Sequence, residues 1–293
     1  MCHDHPDDSG DGRFACLQEA WGEGILVVTQ RTRRAVPRSA GLLLFSLLAL
    51  TGCGPREVSP RLTVRGEPSL DALFAEVVDA YTKKYPEAQV VSKFSCPPCV
   101  LYRKEGQHPE LDVFVSMGDF ETELLRKHGR LRFRDLTPVG RIPMSLVVPE
   151  RMADKVHTLS DLHTNAVAKI GVGDPDNAAV GHYAKQGLDK AGLWTELKSR
   201  FVHKRSGCEI AKLVGLGRDL DAAIVFSVCA GEDGGKVKEV LQFSEDLIPP
   251  VPLIVGIATD TQNPEESRRF LGFVASAEVQ PLFRQHRVLL PGK

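Results

Sequence analysis

Aromatic side chains are scarce in this chain, at 6% of its 293 residues. Proteins that bind single-stranded nucleic acid commonly stack bases on aromatic rings. The formal net charge of −1 adds no attraction for a phosphate backbone. The sequence also lacks a Gly-x-Ser-x-Gly turn, a P-loop and a paired-carboxylate motif. We therefore expect neither a nucleic-acid partner nor an enzyme.

Long apolar runs are also missing, apart from one near the N-terminus. Residues 41–50 read GLLLFSLLAL and follow a segment with four arginines, a pattern typical of a signal peptide and too short to cross a bilayer. The run ends in Leu-Thr-Gly-Cys, which resembles a bacterial lipobox. We expect residues 1–53 to be an N-terminal extension and lipoprotein signal peptide. Lipidation of Cys53 would anchor the protein on the periplasmic or cell-surface face of a bacterial membrane; an ordinary cleaved signal is the alternative.

Cysteines become informative once this segment is set aside. Of seven cysteines, Cys2 and Cys16 lie in the extension and Cys53 is the lipidation site. The body that remains carries Cys96, Cys99, Cys208 and Cys229. An exported chain with four cysteines holds disulfides by default. The Cys-Pro-Pro-Cys turn at residues 96–99 also has the spacing of a redox pair or of half a metal site, so these interpretations stay open.

Apolar spacing predicts alternating strands and helices. From Ser69, placed as the N-cap, buried positions recur at helical spacing to Tyr81. Alternation of this kind favours a parallel α/β architecture. The predicted strands cover residues 62–64, 88–92, 111–116, 144–148, 169–172 and 222–226. The later predicted helices cover residues 183–193 and 209–216, and one that starts at residues 263–266.

Several stretches together resemble the periplasmic molybdate-binding proteins, which are solute-binding proteins of ABC importers. They are residues 62–91 (LTVRGEPSLDALFAEVVDAYTKKYPEAQVV), 109–119 (PELDVFVSMGD), 174–194 (DPDNAAVGHYAKQGLDKAGLW), 220–227 (LDAAIVFS) and 262–291. The resemblance implies an α/β type II periplasmic-binding-protein fold, with two lobes joined by two crossover strands and ligand in the cleft.

The same resemblance implies the domain boundaries and partners. A linker at residues 54–60 would lead to lobe one, residues 60–140 plus 251–293, and lobe two would span residues 141–250. A monomer would deliver a small inorganic ligand to an importer permease, with no catalytic cofactor.

The chain departs from the family at its ligand site. The family holds an oxyanion with serine hydroxyls, backbone N–H groups at helix starts and a tyrosine hydroxyl. Ser69 matches the first serine, the Ser95–Cys99 turn replaces the second, and Phe226 stands at the tyrosine position. The secondary ligand-site candidates are Ser69, Ser95, Ser116, Met117, Gly181, His182 and Phe226.

The resemblance implies that the four body cysteines lie on cleft-facing edges. Thiolates select soft ions, so we expect Cu(I), Zn(II) or arsenite held by Cys96, Cys99, Cys208 and Cys229 when the lobes close. One alternative is a molybdate- or tungstate-type oxyanion bound by Ser69, Ser116 and helix N-termini, with disulfides Cys96–Cys99 and Cys208–Cys229. Others are an extracytoplasmic metal sensor or metallochaperone, a structural zinc site, and a thioredoxin-like redox pair.

Overall fold

A computed structural model describes residues 61–95, 110–127, 133–217, 219–231 and 236–291. The signal segment with Cys53, the linker at residues 54–60 and the turn with Cys96 and Cys99 lie outside the described residues.

The first sheet has five strands in the order β2-β1-β3-β10-β4. Its central strand β3 is buried along its whole length, because helices and neighbouring strands cover it on every side. The strands are β1 Arg61–Gly66, β2 Gln89–Phe94, β3 Val113–Met117, β4 Phe133–Ile142 and β10 Val251–Ala258.

The second sheet also has five strands, in the order β7-β6-β8-β5-β9. Strands β5 and β8 are buried throughout, as their continuous apolar sequences predict. The strands are β5 Met144–Pro149, β6 Ile170–Gly173, β7 Phe201–Lys204, β8 Ala222–Phe226 and β9 Val237–Gln242.

Helices cover the faces of both sheets. In α1 the buried side chains recur every three to four residues from Leu73 to Tyr81, which presents one apolar face to the first sheet. The α-helices are α1 Asp71–Lys84, α2 Phe120–Lys127, α3 Ala179–Lys190, α4 Trp194–Leu197, α5 Gly207–Gly215, α6 Pro264–Val274 and α7 Gln280–Gln285. Short 3-10 turns cover Pro68–Leu70, Glu150–Met152, Leu159–His163, Lys198–Arg200 and Ser227–Gly231.

The sheets are mixed, so the predicted parallel architecture holds for only part of each sheet. β1 pairs in parallel with β2 and β3, and β6 pairs in parallel with β7 and β8. β10 runs antiparallel to β3 and β4, and β5 runs antiparallel to β8 and β9. The reason is that β5 and β10 enter their sheets from the other sheet rather than through a helix crossover.

The chain passes between the sheets at two places. It leaves the first sheet after Ile142 and enters the second at Met144, and it returns between Gln242 and Val251. We call the part around the first sheet lobe one and the part around the second lobe two. Buried side chains of both lobes join one continuous hydrophobic core. No helix among the described residues is long and apolar enough to cross a membrane.

Candidate functional site at the lobe junction

Two neighbouring strands of lobe one end side by side at the junction. β1 and β3 run parallel, so the residues after Gly66 and after Met117 emerge at the same edge of the sheet. The end of β2 joins them, because the Ser95 N–H donates to the carbonyl of Gly66 over 3.0 Å. The carboxyl ends of strands form the usual ligand edge of an open α/β sheet.

Glu67 and Ser69 occupy this edge directly after β1. The Glu67 carboxylate accepts the Ser69 N–H at Oε2 over 2.6 Å and the Ser69 hydroxyl at Oε1 over 3.0 Å. Each residue is 1% exposed. Glu67 is therefore the cap of the first turn, and the prediction that Ser69 caps the helix is wrong. Pro68 has no backbone N–H, so the first N–H of the turn that needs an acceptor is that of Ser69, and the Glu67 carboxylate accepts it.

A second carboxyl, Glu121, lies beneath the end of β3. It is fully buried; Oε2 accepts the Met117 N–H over 3.2 Å, while Oε1 has no hydrogen-bond partner within the described part of the chain. Burial and, secondarily, the charge of Glu67 hold the pKa of Glu121 well above its ordinary value. The carboxyl is thus favoured in its neutral form.

Ser116 was predicted as an oxyanion ligand, but its hydroxyl serves the turn after β3. It donates to the carbonyl of Gly118 over 2.7 Å, and the residue is fully buried. Gly118 itself has φ of +68°, a conformation that favours glycine. Ser116 therefore fixes the turn that leads from β3 into α2.

Lobe two brings two sulfur atoms to the junction. Cys208 stands in the first turn of α5, whose N-cap is Ser206, and Cys229 stands in the 3-10 turn after β8. Their Sγ atoms are 2.9 Å apart, longer than the S–S bond of about 2.05 Å. Cys229 is 1% exposed, and Cys208 is half-buried. Two cysteines 21 residues apart in sequence thus form one pair at the start of α5.

The cysteine pair lies against Ser69 of lobe one. The Cys208 thiol donates to the Ser69 carbonyl over 3.8 Å. A Cβ atom placed on Gly207 would lie 3.0 Å from Ser69 Oγ and 3.2 Å from Cys229 Sγ. The start of α5 therefore approaches lobe one so closely that a side chain larger than that of glycine would press on both Ser69 and Cys229.

A second contact between the lobes comes from α3. The Tyr183 hydroxyl reaches Asp119 Oδ1 over 3.4 Å, and a Cβ atom on Gly118 would lie 1.8 Å from that hydroxyl oxygen. Burial, together with the charges of Asp119 and Glu121, raises the pKa of Tyr183. The hydroxyl is thus a neutral donor at physiological pH.

His182 packs beside Tyr183 in the same contact. Its ring stacks on Phe120 of lobe one, with centroids 4.3 Å apart and planes 21° apart. Burial lowers the pKa of His182. The ring therefore acts as a neutral stacking surface between the lobes.

The remaining sequence-predicted residues lie in the core or in backbone contacts near the ends of their elements. Met117 and Phe226 are fully buried in the core, since each ends a central strand. The Gly181 N–H donates to the carbonyl of Ala178 within its own turn, and Gly181 packs on Asp174. Ser95 is half-buried at the end of β2 and contributes the backbone bond described above.

Sequence reasoning missed Glu67, Glu121 and Tyr183. Glu67 offered a weak signal, because an acidic residue before Pro-Ser is a possible cap. Glu121 gave none, because no helix is predicted over residues 120–127. Tyr183 gave none, because a polar residue on a predicted helix is placed on the solvent face by default.

The described residues hold no group of three or more histidine, cysteine, aspartate or glutamate side chains arranged for a metal ion. Cys208 and Cys229 supply two sulfurs, and Cys96 and Cys99 lie outside this part of the chain.

Comparison with known proteins gives a consistent picture. A family model described as bacterial extracellular solute-binding protein matches residues 62–286. YvgL of Bacillus subtilis, whose name describes an ABC transporter substrate-binding lipoprotein, is 24% identical over 249 residues, 83% of this chain and 94% of its own length. The molybdate-binding protein ModA of Haemophilus influenzae is 28% identical over 224 residues, 74% of this chain and 85% of its own.

Solved structures show the same fold. The periplasmic molybdate-binding protein of Azotobacter vinelandii superposes with a TM-score of 0.64 at 18% identity, and the match covers 79% of this chain and 100% of that one. The two-lobed fold and the family resemblance predicted from the sequence are therefore confirmed.

Proposed function

Because the chain belongs to the bacterial extracellular solute-binding proteins, we propose that it captures a thiophilic metal or metalloid ion between its lobes for an ABC importer. The role in an ABC importer is supported by the name of the Bacillus subtilis relative, which describes an ABC transporter substrate-binding lipoprotein. The ligand class is supported by the junction itself, which presents sulfur from lobe two. Capture by closure requires no chemistry on the ligand.

The observation that carries this proposal is the Cys208–Cys229 pair. Two sulfurs 2.9 Å apart, one of them in contact with Ser69 across the junction, bring two soft donors to one place. To share one tetrahedral ion at about 2.3 Å each, they would move apart to about 3.8 Å. Thiolates favour Cu(I), Zn(II) and chemically similar ions such as arsenite. Neither sulfur is far from the opposite lobe, so an ion bound to the pair would sit at the junction.

Lobe one would complete the site with Cys96 and Cys99. Cys96 follows Ser95, whose N–H is bonded to Gly66 at the same edge that holds Glu67. This adjacency supports a site with two sulfurs from each lobe. An ion held in this way binds the closed state better than the open one, which is what shifts the population towards closure.

A molybdate-type oxyanion is the second candidate, favoured by the names of the Haemophilus and Azotobacter proteins. The Tyr183 hydroxyl offers a neutral donor across the junction. Against it, both donors of Ser69 are already bonded to the Glu67 carboxylate. We therefore place the cation first.

Anchoring at Cys53 completes the proposal. It is supported by the Leu-Thr-Gly-Cys sequence and by the name of the Bacillus subtilis relative, a lipoprotein. The protein would act on the extracytoplasmic face of a bacterial membrane as a monomer with a permease partner.

Substitution of Cys208 by serine tests the ligand class. We expect Cys208→Ser to lose at least about 100-fold in affinity for Zn(II) or arsenite, because a hydroxyl is a poor donor for soft ions. The melting temperature should stay near that of the wild type. Isothermal titration calorimetry measures the affinity and thermal unfolding the stability.

Ser206→Ala is the matched control, because it alters the cap of the same helix without removing sulfur. It should lose stability and keep its ion affinity. A Cys208→Ser protein that melts lower but binds Zn(II) and arsenite as the wild type does would contradict the proposal and favour a structural disulfide.

A further inference from the structure

We propose that Glu67 is an internal anion that fills the anion-binding donors of lobe one and thereby excludes tetrahedral oxyanions from the cleft. The inference rests on the proposed function in taking the lobe junction as the ligand site. It adds the charge class of the ligand, which is cationic, and names the residue that sets this selectivity.

The hydrogen bonds of Ser69 are the first support. Its N–H and its hydroxyl each donate to a different oxygen of the Glu67 carboxylate, over 2.6 and 3.0 Å. A bound oxyanion would need the same two donors, through two of its own oxygens. Since Glu67 and Ser69 are both 1% exposed, water does not compete for them. The carboxylate therefore stands where an oxyanion would bind lobe one.

Glu121 is the second and independent support. Its Oε1 is buried and has no partner in the described ranges. The charge of Glu67 contributes, after burial, to the raised pKa that favours the neutral form of Glu121. Because the charge of Glu67 already disfavours one further negative charge at this buried place, it also disfavours a dianion there.

The fit between the lobes is the third support. The start of α5 lies so near Ser69 that a Cβ atom on Gly207 would be 3.0 Å from Ser69 Oγ. The Glu67 carboxylate and the start of α5 thus both lie against the Ser69 hydroxyl, which narrows the approach of a tetrahedral anion to it.

A purely structural role for Glu67 makes a different prediction. As a helix cap alone, Glu67 would contribute only to stability, and its loss would leave the ligand preference unchanged. As an internal anion, its removal exposes two donors and removes a negative charge, so the protein should acquire affinity for oxyanions.

The test compares Glu67→Ala, Glu67→Gln and Glu67→Asp in the full chain, by calorimetric titration with molybdate and with sulfate. We expect the wild type and Glu67→Asp to bind neither anion. Glu67→Ala should gain at least about tenfold in affinity, and Glu67→Gln a smaller amount because its amide oxygen still accepts from Ser69. Thermal unfolding confirms that each variant is folded, and Glu67→Gln, which preserves side-chain size, serves if Glu67→Ala does not fold.

Two results would overturn the inference. One is a wild-type protein that binds molybdate as tightly as Glu67→Ala; the other is a pair of folded Glu67→Ala and Glu67→Gln proteins that bind neither anion. Titration of the same proteins with Zn(II) and arsenite separates this question from the proposed function. A gain of molybdate binding in Glu67→Ala, with no ion binding by the wild-type thiols, would uphold the role of Glu67 and reject the thiophilic cargo.

Discussion

The two edges that meet at the lobe junction occupy equivalent places in their sheets but carry different chemistry. Lobe one presents Ser69 with both of its donors bonded to Glu67. Lobe two presents the sulfurs of Cys208 and Cys229, beside a β8 strand that ends in the hydroxyl-free Phe226. If the ligand binds at this junction as proposed, the fold fixes its place, while a few side chains at the strand ends decide which ligand it is.

Apart from the removal of a cysteine, the largest effect on this comparison should come from Gly207, where the two edges touch. Gly207→Val adds a branched side chain where even a Cβ atom would lie 3.0 Å from Ser69 Oγ and 3.2 Å from Cys229 Sγ. We expect the lobes to close poorly and ligand affinity to fall by tenfold or more, in about the proportion by which the closed population falls. Small-angle scattering with and without Zn(II) measures closure, and calorimetry measures affinity.

Gly272→Val is the control for a valine in place of a helical glycine, because a Cβ atom there would meet nothing within 4 Å. It should close on ligand as the wild type does. A Gly207→Val protein that compacts normally with Zn(II) would show that α5 and Ser69 do not meet in the ligand-bound state.

A medium effect should come from Glu121, and it depends on pH. Its pKa is raised in the folded protein above the ordinary value of 4.5, chiefly by burial. Its stabilising contribution is therefore complete below pH 4.5 and is lost as the pH rises through the folded-state pKa. Glu121→Gln removes the ionisation, so its free energy of unfolding relative to the wild type should increase from pH 5 to pH 8.

Urea unfolding of both proteins across this pH range gives the comparison. Glu123→Gln is the control on the same helix, since Glu123 is exposed at the surface and paired with Arg126. Equal pH dependence of the wild type and Glu121→Gln would mean that Glu121 is not a neutral buried carboxyl.

The smallest effect should come from Tyr183, whose hydroxyl reaches Asp119 over a long 3.4 Å. Tyr183→Phe removes one weak bond between the lobes, so we expect ligand affinity to fall by a factor of about 2 to 5. Stability should change little, because the ring keeps its packing.

Tyr81→Phe is the matched control for Tyr183→Phe. The Tyr81 hydroxyl bonds Glu266 and Arg269 inside lobe one, away from the junction. This variant should lose about 1 kcal/mol of stability and no ligand affinity. Calorimetry of both variants measures ligand affinity, and thermal unfolding measures stability. An affinity loss in Tyr81→Phe equal to that in Tyr183→Phe would contradict a special role of Tyr183 at the junction.

The sequence predicts the fold better than it predicts the site. Residues 62–91 carry a strong periodic pattern and residues 222–226 a continuous apolar run, and both form the predicted elements. The helix that bears Cys208 begins at Gly207, two residues before the predicted start at residue 209. The antiparallel direction of β10 could not be predicted, because the spacing of apolar residues does not indicate the direction of a strand within its sheet.

At the site, chemistry that depends on contacts between distant residues could not be predicted. Pattern reasoning identified Cys208 and Cys229 as candidates, but their separation of 2.9 Å depends on how α5 packs on β8. It assigned Ser69 as a cap and Ser116 as a ligand, whereas Glu67 is the cap and the Ser116 hydroxyl is bonded to Gly118. Hydrogen bonds between residues two or three positions apart depend on the local backbone conformation, which residue propensities alone do not predict.

The most direct test of the account is native mass spectrometry of the protein isolated gently from its own host, before and after thiol alkylation. If the cysteine thiols hold the ligand, the spectrum shows an added mass of one metal or metalloid ion that disappears on alkylation. The same spectrum identifies the ion. A spectrum with no added atom and with the mass of a chain containing two disulfides would contradict the account and return the oxyanion to first place.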